Sequence, residues 1–171
     1  MKRLINASTT AKNVERITID FYGGVDVEEE ITAVANPKKV FKNTQVVIRD
    51  VKAYLKSKGL KILFVKKSDN EDSDSTYYDV DVKVANPKGK TKYIYLRVSD
   101  HTEDPNNEEA RQNFHDRKTR DYENLPEDAD VSELYKYKSI DVTGKRYDNY
   151  DRAMNRVKEI INEILSAEGI I

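Results

Sequence analysis

Cysteine is absent from this 171-residue chain, and so is tryptophan. Without thiols there can be no disulfide framework and no thiolate metal site, a composition that fits a reducing cytosol. Histidine is nearly absent too, with only His101 and His115. No HExxH, no paired CxxC and no glycine-rich phosphate loop occurs, so no metal and no cofactor is expected. Long apolar runs are also missing. Nothing approaches the roughly 20 residues needed to span a bilayer, and the basic opening Met1-Lys2-Arg3 leads into no apolar stretch. The expectation is a soluble, unexported protein with no membrane partner. An excess of one charge sign is lacking as well: 30 Lys and Arg stand against 31 Asp and Glu, so net charge points to no partner class.

What the chain does have is charge and tyrosine. Charged residues make up 36% of it, well above the roughly 25% of an average globular domain, so much of the chain must be solvated surface around a thin core. At this length one domain over 1–171 is expected. The periodic segments must then supply most of the burial.

Residues 14–21 alternate, with Ile17, Ile19 and Phe21 on one face, and read as a strand ended by Gly23-Gly24. Residues 25–34 read as a second strand or an acidic helix, with strand favoured. From Lys42 to Lys58, Val47, Val51, Tyr54 and Leu55 recur at helical spacing, with Asn43 or Thr44 able to cap the start and Gly59 the end. Leu60 to Lys66 is rich in β-formers, and Ser68 to Asp74 reads as a polar loop. In Thr76 to Val84, Tyr78, Val80, Val82 and Val84 share one face. Asn86-Pro87-Lys88-Gly89 then turns the chain into Lys92 to Val98, an antiparallel partner. Residues 102–132 form a polar insert, within which only Glu108 to Arg120 has helical character. Tyr135 to Val142 reads as an edge strand, and Tyr147, Tyr150, Met154, Val157, Ile161, Ile164 and Leu165 stripe a long helix ended by Gly169. The pentapeptide Val-Ala-Asn-Pro-Lys occurs at 34–38 and 84–88; its flanks differ, so it reads as one turn used twice rather than a repeat. The predicted class is α+β, a mainly antiparallel sheet of four or five strands with a mid-chain and a C-terminal helix on one face.

Three surface features could carry function. The first is Arg97-Val98-Ser99-Asp100-His101, where alternation puts Arg97 and Ser99 on one face and sends Asp100 and His101 into a reachable loop. Consecutive Ser, Asp and His cannot form a triad by themselves, because the base must bridge nucleophile and acid in space. Turn satisfaction, recognition and acid-base work therefore stay open, the last including an RNase that uses Arg97, Asp100 and His101. The second is the stretch from Lys38 to Lys67, ten cations including Lys52 and Lys56 against Asp50 alone, which could track phosphates or could be balanced by acidic loops. The third is tyrosine, 11 against four phenylalanines. Tyr77 and Tyr93 fall on or beside the polar faces of the hairpin, where a ring suits either a protein interface or a base.

Tyr93-Ile94-Tyr95-Leu96-Arg97-Val98-Ser99-Asp100-His101, the later strand ending Ile140-Asp141-Val142 and the closing amphipathic helix resemble a group of type II anti-CRISPR proteins from phages and mobile elements of Gram-positive bacteria. The likeness covers roughly the second half of the chain. Asp100 stands where that group can have asparagine, and the insert at 102–132 departs from its compact pattern. The resemblance implies a non-enzymatic protein that binds a host Cas nuclease, its guide RNA, or both. Nucleic-acid binding through a basic face and a structural role in a phage are the alternatives. The binding residues so expected are Arg97, Ser99, Asp100, His101, Lys52, Lys56, Tyr93 and Tyr77.

Overall fold

The computed structural model describes residues 16–22, 27, 36–71, 76–100 and 139–171. They form β1 (Ile17–Tyr22), α1 (Asn36–Ser57), β2 (Lys61–Glu71), β3 (Thr76–Ala85), β4 (Thr91–Asp100), β5 (Ser139–Val142), β6 (Lys145–Tyr147) and α2 (Tyr150–Ala167). The six strands make one sheet in the order β2-β3-β4-β1-β5-β6. Every neighbouring pair is antiparallel except β1 and β4, which run parallel with Ile17 beside Leu96 and Ile19 beside Val98. The fold is α+β, with six strands rather than four or five.

Both helices lie on one face of this sheet. Val47, Val51 and Leu55 of α1 join Val157, Ile161 and Leu165 of α2 in a single buried cluster with Ile17, Ile19 and Phe21, with Val80, Val82 and Val84, with Ile94, Leu96 and Val98, and with Ile140 and Val142. Each such side chain contributes about 1.5–3 kcal/mol by leaving water, which is how a highly charged chain holds its core. The opposite face carries no helix among the described residues.

Local chemistry explains the ends. Both helices close in a Schellman motif: Gly59 and Gly169 have φ of 77° and 70°, and Leu60 N–H and Ile170 N–H reach back to the carbonyls of Leu55 and Leu165 at 3.2 and 2.8 Å. Leu60 and Ile170 are buried beyond the caps. α2 starts where Asn149 accepts from Arg152 N–H at 2.9 Å. This cap puts Tyr147, expected in the helix, into β6 instead.

Four other expectations are corrected. α1 begins at Asn36, not Lys42, because Pro37 lacks an N–H that the first turn would leave unbonded in any case. Asn43 and Thr44 are therefore buried mid-helix residues rather than caps, and the Thr44 hydroxyl donates to the Val40 carbonyl at 2.6 Å. The two copies of Val-Ala-Asn-Pro-Lys do different work, since Asn36 to Lys38 of the first open α1 while the second is a turn in which Asn86 Oδ1 accepts from Lys88 and Lys90 N–H at 3.0 and 2.9 Å. The polar residues Ser68 to Glu71 extend β2 instead of looping, paired in ladder with Thr76 to Asp79. Finally, β5 spans Ser139–Val142 and is internal, because β6 follows through Thr143 and Gly144, both at positive φ (48° and 90°) as a two-residue hairpin turn requires. The expected strand at 25–34, the helix at 108–120 and the insert at 102–132 lie outside the described residues.

Candidate nucleic-acid interface

The helix-free face is built by alternation. In β4, Ile94, Leu96 and Val98 turn to the helices and Tyr93, Tyr95, Arg97 and Ser99 turn away. Register then fixes their neighbours across β3, with Tyr93 beside Lys83, Tyr95 beside Asp81, Arg97 beside Asp79 and Ser99 beside Tyr77. In β2 the register shifts between Ile62 and Phe64. That bulge accommodates Leu63 as an extra residue and moves Phe64 from the core side to the open face, opposite Lys83. Without it Phe64 would share the face of Ile62.

The result is an aromatic platform spread over three strands. Phe64 meets Tyr93 edge to face at 5.8 Å and 68°, and Tyr93 lies parallel to Tyr95 at 5.7 Å and 5°. The Lys83 ammonium stands 5.3 Å from the Tyr93 ring centre. Phe64, Leu63 and Tyr95 each retain 40% or more of their surface, at 42%, 42% and 42%. Large apolar groups exposed together on one face make this surface the candidate site of contact.

Charge is graded along this face. No acid occurs from Val51 to Ser68 or from Val82 to Val98. Exposed Lys58, Lys61 and Lys88 therefore collect where α1 ends, β2 begins and β3 turns into β4. Lys90 and Lys92 of the same end hold Glu168, Lys90 through its backbone carbonyl and Lys92 through its carboxylate at 3.2 Å. An open groove of about 450 Å³ lies here, lined by the start of β2, the β3–β4 turn and Thr91. At the other end of the platform, Arg97 is committed: its Nε and Nη2 donate to Asp79 at 2.9 and 3.3 Å, and its guanidinium stacks on Tyr77 at 4.2 Å. The hydrogen bond to Asp79 pushes the Arg97 pKa up, against the opposing effect of burial.

The residues expected to bind are thus divided. Tyr93, Tyr77 and Arg97 share the open face, whereas Lys52 and Lys56 lie on α1, behind the sheet. Ser99 and Asp100 are not at a reachable strand end, with 2% and 0% exposure. Ser99 donates to Asp20 on β1, and Asp100, still within β4, points to the helix side beside Phe21. Both sit between two strands, with β1 on one side and β3 on the other. Opposite faces also prevent Ser99 and Asp100 from acting as one catalytic pair. His101 and His115 lie outside the described residues, and no cluster of three metal-binding side chains occurs among the described residues.

Tyr95, Phe64 and Lys83 are the site residues that sequence reasoning missed, whereas Lys61 belongs to the basic stretch already singled out from Lys38 to Lys67. Tyr95 was signalled by the same alternation that exposes Tyr93. Phe64 was not, because a bulge leaves no local mark in Ile62-Leu63-Phe64. No protein-family model, curated protein or solved structure matches the chain, so the site stands on its geometry.

Proposed function

We propose that the protein is a non-enzymatic binding module that takes single-stranded nucleic acid on the open face of β2, β3 and β4. The observation that carries this reading is the row Phe64, Lys83, Tyr93 with Tyr95 stacked beside it: exposed rings offer π-faces to bases while a lysine among them meets phosphate. A sheet with helices on one side and aromatics on the other is a platform well suited to splayed-out bases. The lysine end, where Lys58, Lys61 and Lys88 add to the two lysines that hold Glu168, contributes a sequence-independent attraction that weakens with salt.

Fluorescence polarisation with a labelled oligouridylate tests it. Stacking on an aromatic side chain contributes about 1–3 kcal/mol per base, so Tyr95→Ala should weaken binding roughly 5- to 150-fold. Absence of binding by the unmutated protein at low salt, or equal affinity for the variant, sinks the reading.

The inhibitor function implied by the resemblance is proposed on this surface and no longer on the motif that raised it, since Ser99 and Asp100 are enclosed. A guide RNA supplies the single-stranded partner. Mixed with a guide-loaded Cas effector, the protein should co-migrate and suppress DNA cleavage, and Tyr95→Ala should restore cleavage. Undiminished cleavage at saturating protein rejects the inhibitor role and leaves the platform to another RNA.

A further inference from the structure

The groove at the lysine end lies in line with the platform. Along β4, Tyr95, Tyr93 and Thr91 all face the open side, each two residues from the next and so about 6.8 Å apart. That step is close to the reach of one unstacked nucleotide. Tyr95 and Tyr93 belong to the platform, and Thr91 lines the groove with Lys61, Leu63, Ala85, Pro87 and Gly89. The groove's volume of about 450 Å³ is within the usual 300–1,000 Å³ of small-ligand pockets. Its walls combine the apolar surface of Leu63 and Pro87 with the lysine ammonium of Lys61, and glycines at 59 and 89 leave the space above their backbones open.

Resting on the proposed single-strand binding, we infer that this groove is a nucleotide pocket that continues the platform, so that the site takes about three nucleotides in register with Tyr95, Tyr93 and Thr91. The base in the groove packs on Leu63 and Pro87, and its phosphate faces Lys61. The strand therefore runs along β4, from the Arg97–Asp79 pair toward the lysine end.

Amide NMR titration of the full chain with oligouridylates of one to six nucleotides reads this directly. The Gly59, Asn86 and Gly89 amides should shift with the trinucleotide and longer chains. Affinity should rise about fivefold from two to three nucleotides, the low end of the range for stacking a base because the groove offers Leu63 and Pro87 rather than a ring, and less than about threefold for each nucleotide beyond. Thr91→Ile narrows the groove with a bulkier, non-aromatic side chain at an exposed strand position that favours β-branched residues, and it should reduce the step at three nucleotides while leaving dinucleotide affinity within about twofold. Lys61→Glu, also exposed, should reduce the same step. Silent groove amides under bound hexanucleotide, or a step that survives undiminished in both variants, overturn the pocket while Tyr95→Ala still weakens binding. Failure of every oligonucleotide to bind the unmutated protein overturns the platform as well, and so separates the two claims.

Discussion

Tyr150→Phe is the substitution from which the structure gives the most determinate outcome. The Tyr150 hydroxyl donates to Asp50 Oδ2 at 2.8 Å, tying the start of α2 to the middle of α1. A hydrogen bond to a charged group contributes about 1.5–3 kcal/mol, and the lower end applies because Asp50 keeps 26% of its side-chain surface and also meets Arg49 at 3.0 Å. The variant should therefore lose about 1.5 kcal/mol near neutral pH. Burial, followed by the Asp50 hydrogen bond and charge, pushes the Tyr150 pKa up in the folded chain. In the unfolded chain the phenol titrates near about 10. Above that pH the unfolded state binds fewer protons than the folded one, so stability falls as pH rises, and below it the contribution is present in full. One unit past the unfolded value costs about 1.4 kcal/mol. The stability curves of the two proteins should thus converge near pH 11, where the phenylalanine variant has no phenol at position 150 to titrate. Urea denaturation followed by far-UV circular dichroism from pH 7 to 11 measures both curves. A gap that stays constant with pH, or no gap at neutral pH, refutes the reasoning.

Other substitutions probe the core, the turn and the platform. Leu55→Ala removes a fully buried side chain of α1 and should cost about 2–5 kcal/mol in the same denaturation assay. Gly144→Ala forces a side chain onto a backbone at φ 90° and should cost about 1–2 kcal/mol, with β6 affected first in amide hydrogen exchange. Asp79→Ala breaks an ion pair that is 30% and 26% exposed, so the stability loss should stay near 1 kcal/mol or below, while freeing Arg97 should raise oligouridylate affinity a few-fold. Affinity should also fall linearly on a logarithmic salt scale, and Lys83→Glu should make that slope shallower in polarisation titrations.

The division between sequence and tertiary structure follows the range over which each signal acts. Alternation from Tyr78 to Val84, helical spacing from Val47 to Leu55 and from Met154 to Leu165, and the glycine stops at 59 and 169 are local, since neighbouring side chains share one element. The chain alone therefore determined the α+β class, the β3–β4 hairpin and the two helices. What it left open needed partners far along the chain. Ser68 to Glu71 become strand because β3 supplies their ladder, Ser99 finds Asp20 only because β1 lies beside β4, and Phe64 reaches the open face only through a bulge in β2. The basic stretch from Lys38 to Lys67 reads as one surface in the sequence, yet Lys61 and Lys66 stand on the open face whereas Lys52 and Lys56 lie on α1 and Lys67 meets Phe41 on the helix side. A side chain's face is set by local periodicity, but what covers that face, and which ring or ammonium stands beside it, is set by strand order and register.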